Sequence, residues 1–125
     1  MISVQTVYTA LIAKSESGLS SVINLSNLPA DGKMLLDLTI TGDGTAKAEY
    51  LVCDTVDGTF IEPSGATDIC TGHTKVTGAS GRNLYKIDSW TPFLNKFMKI
   101  KITETGGVNT ITPTVKLVIW AGSRN

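Results

Sequence analysis

Apolar and polar residues alternate along most of this chain. Ile2, Val4, Tyr8, Ala10 and Ile12 share one parity, as do Leu36, Leu38 and Ile40, then Ala46, Ala48, Tyr50 and Val52, then Met98, Ile100 and Ile102. A period of two places each set on one face of a β-strand. A helix needs apolar spacing of three to four residues sustained over ten or more, with caps. The partial candidate, TPFLNKFMK at 91–99, is short, opens on Thr-Pro and runs directly into an alternating set. Strands are expected near 2–13, 19–25, 34–41, 45–55, 59–62, 66–71, 73–77, 84–89, 97–104 and 111–121. Turn formers separate them: Pro29-Ala30-Asp31-Gly32, Gly42-Asp43-Gly44, Asp57-Gly58, Gly78 to Gly81 and Gly106-Gly107. Short strands with a reversal every ten to fifteen residues predict an all-β fold, an antiparallel β-sandwich with a jelly-roll-like layout. Residues 1–125 form one domain in this reading, because no linker, repeat or low-complexity stretch divides them.

The stretch FMKIKITETGGVNTITPTVKLVIW at 97–120 carries the pattern twice. With Met98, Ile100 and Ile102 inward, Phe97, Lys99, Lys101 and Thr103 face out. With Val115, Leu117 and Ile119 inward, Lys116, Val118 and Trp120 face out. Two readings of this outer surface stand. Either a second sheet or a loop covers Val118 and Trp120 and the lysine stems lie along the rim, or an aromatic flanked by bases anchors another protein surface. The candidate partner-binding residues are Lys99, Lys101, Lys116, Val118 and Trp120, joined by Arg82 at the end of the loop GASGRN.

Charge narrows the partner. Eleven Lys and Arg balance eleven Asp and Glu, so the broad positive field required to neutralise nucleic-acid phosphates is missing. The balance is uneven along the chain. Residues 1–72 hold Lys14, Lys33 and Lys47 against nine acids, and residues 73–125 hold eight bases against Asp88 and Glu104. Interleaved strands would mix these charges on one surface; a polarised molecule would pack head to tail against its own copies. No stretch approaches the roughly 18 apolar residues of a membrane span. The segment MISVQTVYTALIAKSESG lacks the basic start of a signal peptide and reads as a first strand. Cys53 and Cys70 are expected as free thiols of a reducing compartment, with a disulfide between them as the alternative.

Catalytic chemistry has little to build on. A single histidine, His73, stands in the turn-like TGHTK and is expected to be solvated; one histidine and no C-x-x-C pair argue against a metal site. There is no G-x-S-x-G turn for a nucleophile. Asp54, beside Cys53, disfavours a thiolate there. Asp54 and Asp57 in DTVDG could in principle hold calcium or work as an acid–base pair, but Asp-Gly is also common hairpin chemistry. The chain therefore reads as a binding protein that is not an enzyme, with no cofactor.

Two blocks, AEYLVCDTVDGTFIEPSGATDI at 48–69 and WTPFLNKFMKIKITETGG at 90–107, followed by TVKLVIW, bear a family resemblance. The layout of a DGT-F turn, a Pro-Ser-Gly loop and an aromatic-Pro-aromatic approach to an alternating Lys/Ile strand resembles small all-β virion accessory proteins of tailed bacteriophages, of the decoration or cement type. The resemblance implies a non-enzymatic structural subunit made in host cytoplasm. It would bind other virion proteins of a capsid or tail lattice and form a homo-oligomer, often a trimer, with neither nucleic acid nor membrane as partner. The other reading is a carbohydrate-binding jelly roll, in which Trp90, Tyr85 or Trp120 would stack on sugars while Asp, Asn and Arg82 bind hydroxyls. Aromatic residues make up only 6% of the chain, which makes a stacking platform less natural.

Overall fold

A computed structural model describes residues 2–26, 33–63, 68–87 and 95–120. Nine strands occur among them: β1 (Ile2–Thr9), β2 (Ser17–Leu19), β3 (Ile23–Asn24), β4 (Lys33–Thr41), β5 (Ala46–Cys53), β6 (Cys70–His73), β7 (Arg82–Ile87), β8 (Phe97–Glu104) and β9 (Thr112–Trp120). They form two antiparallel sheets. Sheet A is ordered β1-β9-β4-β7 and sheet B β2-β8-β5-β6, with β3 also paired to β8. The pairs β2 with Ser17–Leu19 against Thr103–Lys101, and β3 with Ile23–Asn24 against Met98–Phe97, line one edge of β8 in succession. Buried Ser20 stitches the break: its N–H donates to the Ile100 carbonyl at 2.8 Å, and its Oγ accepts from the Ile100 N–H at 2.9 Å.

The inner faces supply the core. Leu36, Leu38, Ile40, Met98, Ile100, Ile102, Val115, Leu117 and Ile119 are all buried on the expected parity. Such side chains each contribute on the order of 1.5–3 kcal/mol by leaving water. The chain changes sheet at β1–β2, β3–β4, β4–β5, β6–β7, β7–β8 and β8–β9. This is the connectivity of a jelly-roll sandwich, and it puts the two runs at 97–120 in different sheets. The Gly42-Asp43-Gly44 and Gly106-Gly107 turns thus carry the chain across the sandwich and do not close hairpins. Gly42 has φ +94° with the Thr110 carbonyl against its Cα, a position with neither room nor conformational tolerance for a side chain.

Glu104 holds these crossings together at one end. Its buried carboxylate accepts backbone N–H bonds from Ser15 (3.0 Å), Thr45 (3.0 Å), Gly106 (2.7 Å) and Gly107 (2.9 Å). The donors come from the β1–β2, β4–β5 and β8–β9 connections. Backbone donors from Thr45 and Ser15, ahead of those from the glycines, outweigh the cost of burial and hold the carboxyl down to about 2.

Several expectations require correction. Ile2 and Val4 were expected on the core side with Tyr8 and Ile12, yet they face solvent. A register shift between Thr6 and Tyr8 inserts Val7 as a bulge, so the parity that turns Tyr8 and Ile12 inward is lost before it reaches Val4. The inward Tyr8 ring lies against Gly18 of β2, where any Cβ would collide with it. His73 is buried, not solvated. Its Nε2–H donates to the Gly81 carbonyl at 2.8 Å, leaving Nδ1, 2.6 Å from Tyr85 Oη, to accept from the tyrosine. The expected strand at 73–77 ends at His73 because Thr74 and Thr77 bond one another in a tight turn. At 59–62 only Ile61 bridges, to Val52. Both cysteines are free, and burial pushes the Cys70 thiol up to about 11. The turn at 29–32, residues 66 and 67 of the expected strand 66–71, and Trp90 lie outside the described residues.

Candidate interaction surface

The outward residues of sheet A can be read across from the strand registers. One row is Ile2–Trp120–Lys33; the next is Val4–Val118–Leu35–Lys86; the third is Thr6–Lys116–Asp37–Leu84; the fourth pairs Thr114 with Thr39 and Arg82. An apolar stripe of Ile2, Val4, Val118, Leu35 and Trp120 therefore runs across three strands, with Leu84 beyond it. Ile2 is 66% exposed, Val4 59% and Leu84 49%, while Leu35, Val118 and Trp120 are half-buried among their neighbours. Lys33, Lys86 and Lys116 border the stripe, exposed and with no ion pair to any described residue. Arg82 is differently placed. Its Nε and Nη2 donate to the two oxygens of buried Asp37 at 3.0 and 2.9 Å, a bidentate pair within the same face. A cleft of about 450 Å³ lies between Asp37, Thr39, Arg82, Thr114 and Lys116.

The outer face of sheet B is built from the same alternation and ends differently. Its rows pair Lys47 with Thr103, Glu49 with Lys101 and Leu51 with Lys99. The chain beyond β5 folds back over them. Lys99 Nζ sits 4.5 Å from the Phe60 ring centroid, and Lys47 Nζ lies 3.6 Å from both Glu49 and Asp68. Oxygens of Glu49, Glu62 and Asp68 lie within 4.8 Å of one another, the nearest approach to a cation-binding set among the described residues, with Lys47 already supplying positive charge. A hydrogen bond with Glu49, then burial, raise the Glu62 carboxyl above its usual range.

The six residues singled out for partner binding thus divide. Lys116, Val118 and Trp120 share the outer face of sheet A with Arg82; Lys99 and Lys101 belong to the opposite flank. Ile2, Val4, Leu35 and Leu84 complete the apolar stripe and are not among those six. Leu35 and Leu84 could have been found from their parity opposite Leu36 and Tyr85, whereas Ile2 and Val4 were hidden by the bulge. Tyr85, a candidate for sugar stacking, turns inward to His73, with the ring centroids 5.7 Å apart. Asp54 and Asp57 flank a turn in which the Gly58 N–H donates to the Thr55 carbonyl at 3.3 Å. A cleft of about 460 Å³ behind that turn is lined, among the described residues, by Val52, Cys53, Asp54, Thr55, Gly58, Thr59, Ile61 and Asn95, with Asp54 its carboxylate and Cys53 its thiol.

The fold has known counterparts. VP2 of infectious bursal disease virus, solved as a subviral particle, superposes on 95% of this chain with a TM-score of 0.60 at 11% identity. VP2 of the Gx strain of the same virus superposes on all of it with a TM-score of 0.52 at 15% identity. This chain spans about a third of the length of those proteins, 31% and 33% respectively. A protein of the Bacillus endospore appendages, which form disulfide-linked pili, aligns with a TM-score of 0.44 at 15% identity over 98% of this chain and 89% of its own. No protein-family model and no curated protein matches the chain by sequence. The chain is an all-β jelly-roll sandwich of the kind found in particle-forming VP2, and among the described residues no helix is long and apolar enough to cross a membrane.

Proposed function

We propose that this protein is a non-enzymatic structural subunit of a bacteriophage particle, a decoration, cement or related accessory protein that binds a capsid or tail lattice and associates with its own copies. The observation that carries this reading is the outer face of sheet A, where Ile2 and Val4 stand exposed in an apolar stripe with Val118 and Trp120, among lysines that make no ion pair to a described residue. Exposed apolar area of that kind on a rigid sheet costs solubility unless another protein covers it. The likeness to VP2 in a subviral particle supports an assembling role, and the motif resemblance supports a phage setting. Lattice binding needs contact area repeated over many copies, which multiplies a modest affinity. Mass spectrometry of particles purified by density gradient from a producing culture tests this. Peptides of this chain co-banding in fixed proportion to the main shell protein are expected; their absence from the particles would end the reading.

A further inference from the structure

We infer that the exposed face of sheet A receives the acidic turn at residues 54–58 of a second copy of this chain, giving head-to-tail association. The inference rests on the assembling role proposed above and names its contact. The face is apolar and basic. Lys33, Lys86 and Lys116 surround the stripe, and its acid, Asp37, is already held by Arg82. The turn is apolar and acidic. Val56, 56% exposed, projects between exposed Asp54 and Asp57, which have no cationic partner among the described residues, and Ile61, 63% exposed, lies beside it. The Gly58-to-Thr55 hydrogen bond and the Val52–Ile61 bridge preform the turn, which lowers the ordering cost of contact.

Two copies pairing face to face would oppose lysines that pair with no described residue, with no free carboxylate among the described outward residues between them, whereas turn on face matches opposite charge to opposite charge and apolar tip to apolar stripe. The turn follows β5 at the end of sheet B, and the receiving face is the flank of sheet A. The contact therefore joins two different surfaces and is heterologous. It closes a ring when the rotation between copies permits and extends a filament when it does not.

Sedimentation velocity and light scattering on the full chain at low salt test this with paired variants. Wild type is expected to exceed 13.3 kDa increasingly with concentration and to fall back toward it as salt rises. The face variant Lys86→Glu/Lys116→Glu and the turn variant Asp54→Lys/Asp57→Lys all change exposed side chains, so both should fold. Each is expected to weaken association at least tenfold. Mixed in equal amounts, each offers what the other lacks, intact turn to intact face and Lys turn to Glu face, so they should associate as alternating copies, beginning with a dimer. The chain carrying all four changes should associate again. A wild type that stays monomeric, variants that associate undiminished, or a mixture that yields no dimer would each overturn the inference. A monomer present in purified particles sinks this contact but leaves the structural role, whereas a head-to-tail oligomer absent from particles does the reverse.

Discussion

The outer faces of the two sheets start from one rule and reach opposite ends. On both, every second residue points away from the core, and on both those residues include lysines and aliphatic side chains. On sheet B the chain returns over its own strands, so Lys99 stacks on Phe60, Lys47 pairs with Glu49 and Asp68, and Leu51 is half-buried. On sheet A nothing among the described residues returns, and Val4, Val118 and Trp120 remain beside unpaired lysines. Alternation decides which residues leave the core. What becomes of them is decided by the loops.

The deepest way to break the contrast is through the core that both faces share. Leu117 and Val118 are adjacent on β9 and point opposite ways, Leu117 fully buried and Val118 outward. Leu117→Ala should cost about 2–5 kcal/mol, the lost transfer energy plus the cavity. Val118→Ala should cost less than about 1 kcal/mol, since its side chain is already partly wet. Urea denaturation of the two variants measures the difference. Similar losses would mean that the outer stripe is covered in the folded monomer.

Next in size is the clamp that keeps the sheets connected. Glu104→Ala leaves four backbone donors without their acceptor and should cost about 1–3 kcal/mol. Its pH dependence has a definite sign. The carboxyl is held at about 2 in the folded protein against an ordinary 4.5, so its stabilisation is complete above 4.5 and disappears as pH falls from there toward 2. Acid unfolding of the wild type should steepen across that window, and Glu104→Gln should flatten it. An unchanged acid limb in the variant would show that the clamp contributes nothing.

Glu104 also marks where the sequence stopped being readable. Strand parity exposed the inner faces of β4, β5, β8 and β9 because each buried apolar set is alternate and bounded by turn residues. It failed at β1, where one extra residue inverts every side chain before it, and at His73, where polar neighbours in TGHTK concealed a buried ring satisfied by Gly81 and Tyr85. Both failures arise from partners outside the local pattern, β9 for β1 and Gly81 with Tyr85 for His73. The proposed contact face was legible in part for the same reason. Lys116, Val118 and Trp120 follow from local parity, whereas their separation from Lys99 and Lys101 depends on a crossing between sheets that Gly106-Gly107 signals only as a turn.

The smallest effect is expected on the covered face. Glu62 is raised above 4.5 chiefly by its hydrogen bond with Glu49, then by burial and by the Glu49 charge, with Lys101 pulling the other way. A carboxyl raised on folding favours the folded state below its ordinary value and loses that advantage as pH climbs through the folded one. Glu62→Gln keeps a hydrogen-bond donor for Glu49 without the like charge. It should match wild type in acid and exceed it slightly at neutral pH, by no more than about 2 °C in melting temperature, because surface charge pairs contribute little. Melting curves at pH 4 and pH 7.5 decide this. Sheet A has no such pair of neighbouring carboxyls among its described outward residues, so charge-removing changes such as Lys86→Gln should shift the melting temperature alike at both pH values. A Glu62→Gln curve that also moves equally at both would mean that the returning loop does not bring Glu62 onto Glu49, and the two outer faces would then differ less than their rows of side chains imply.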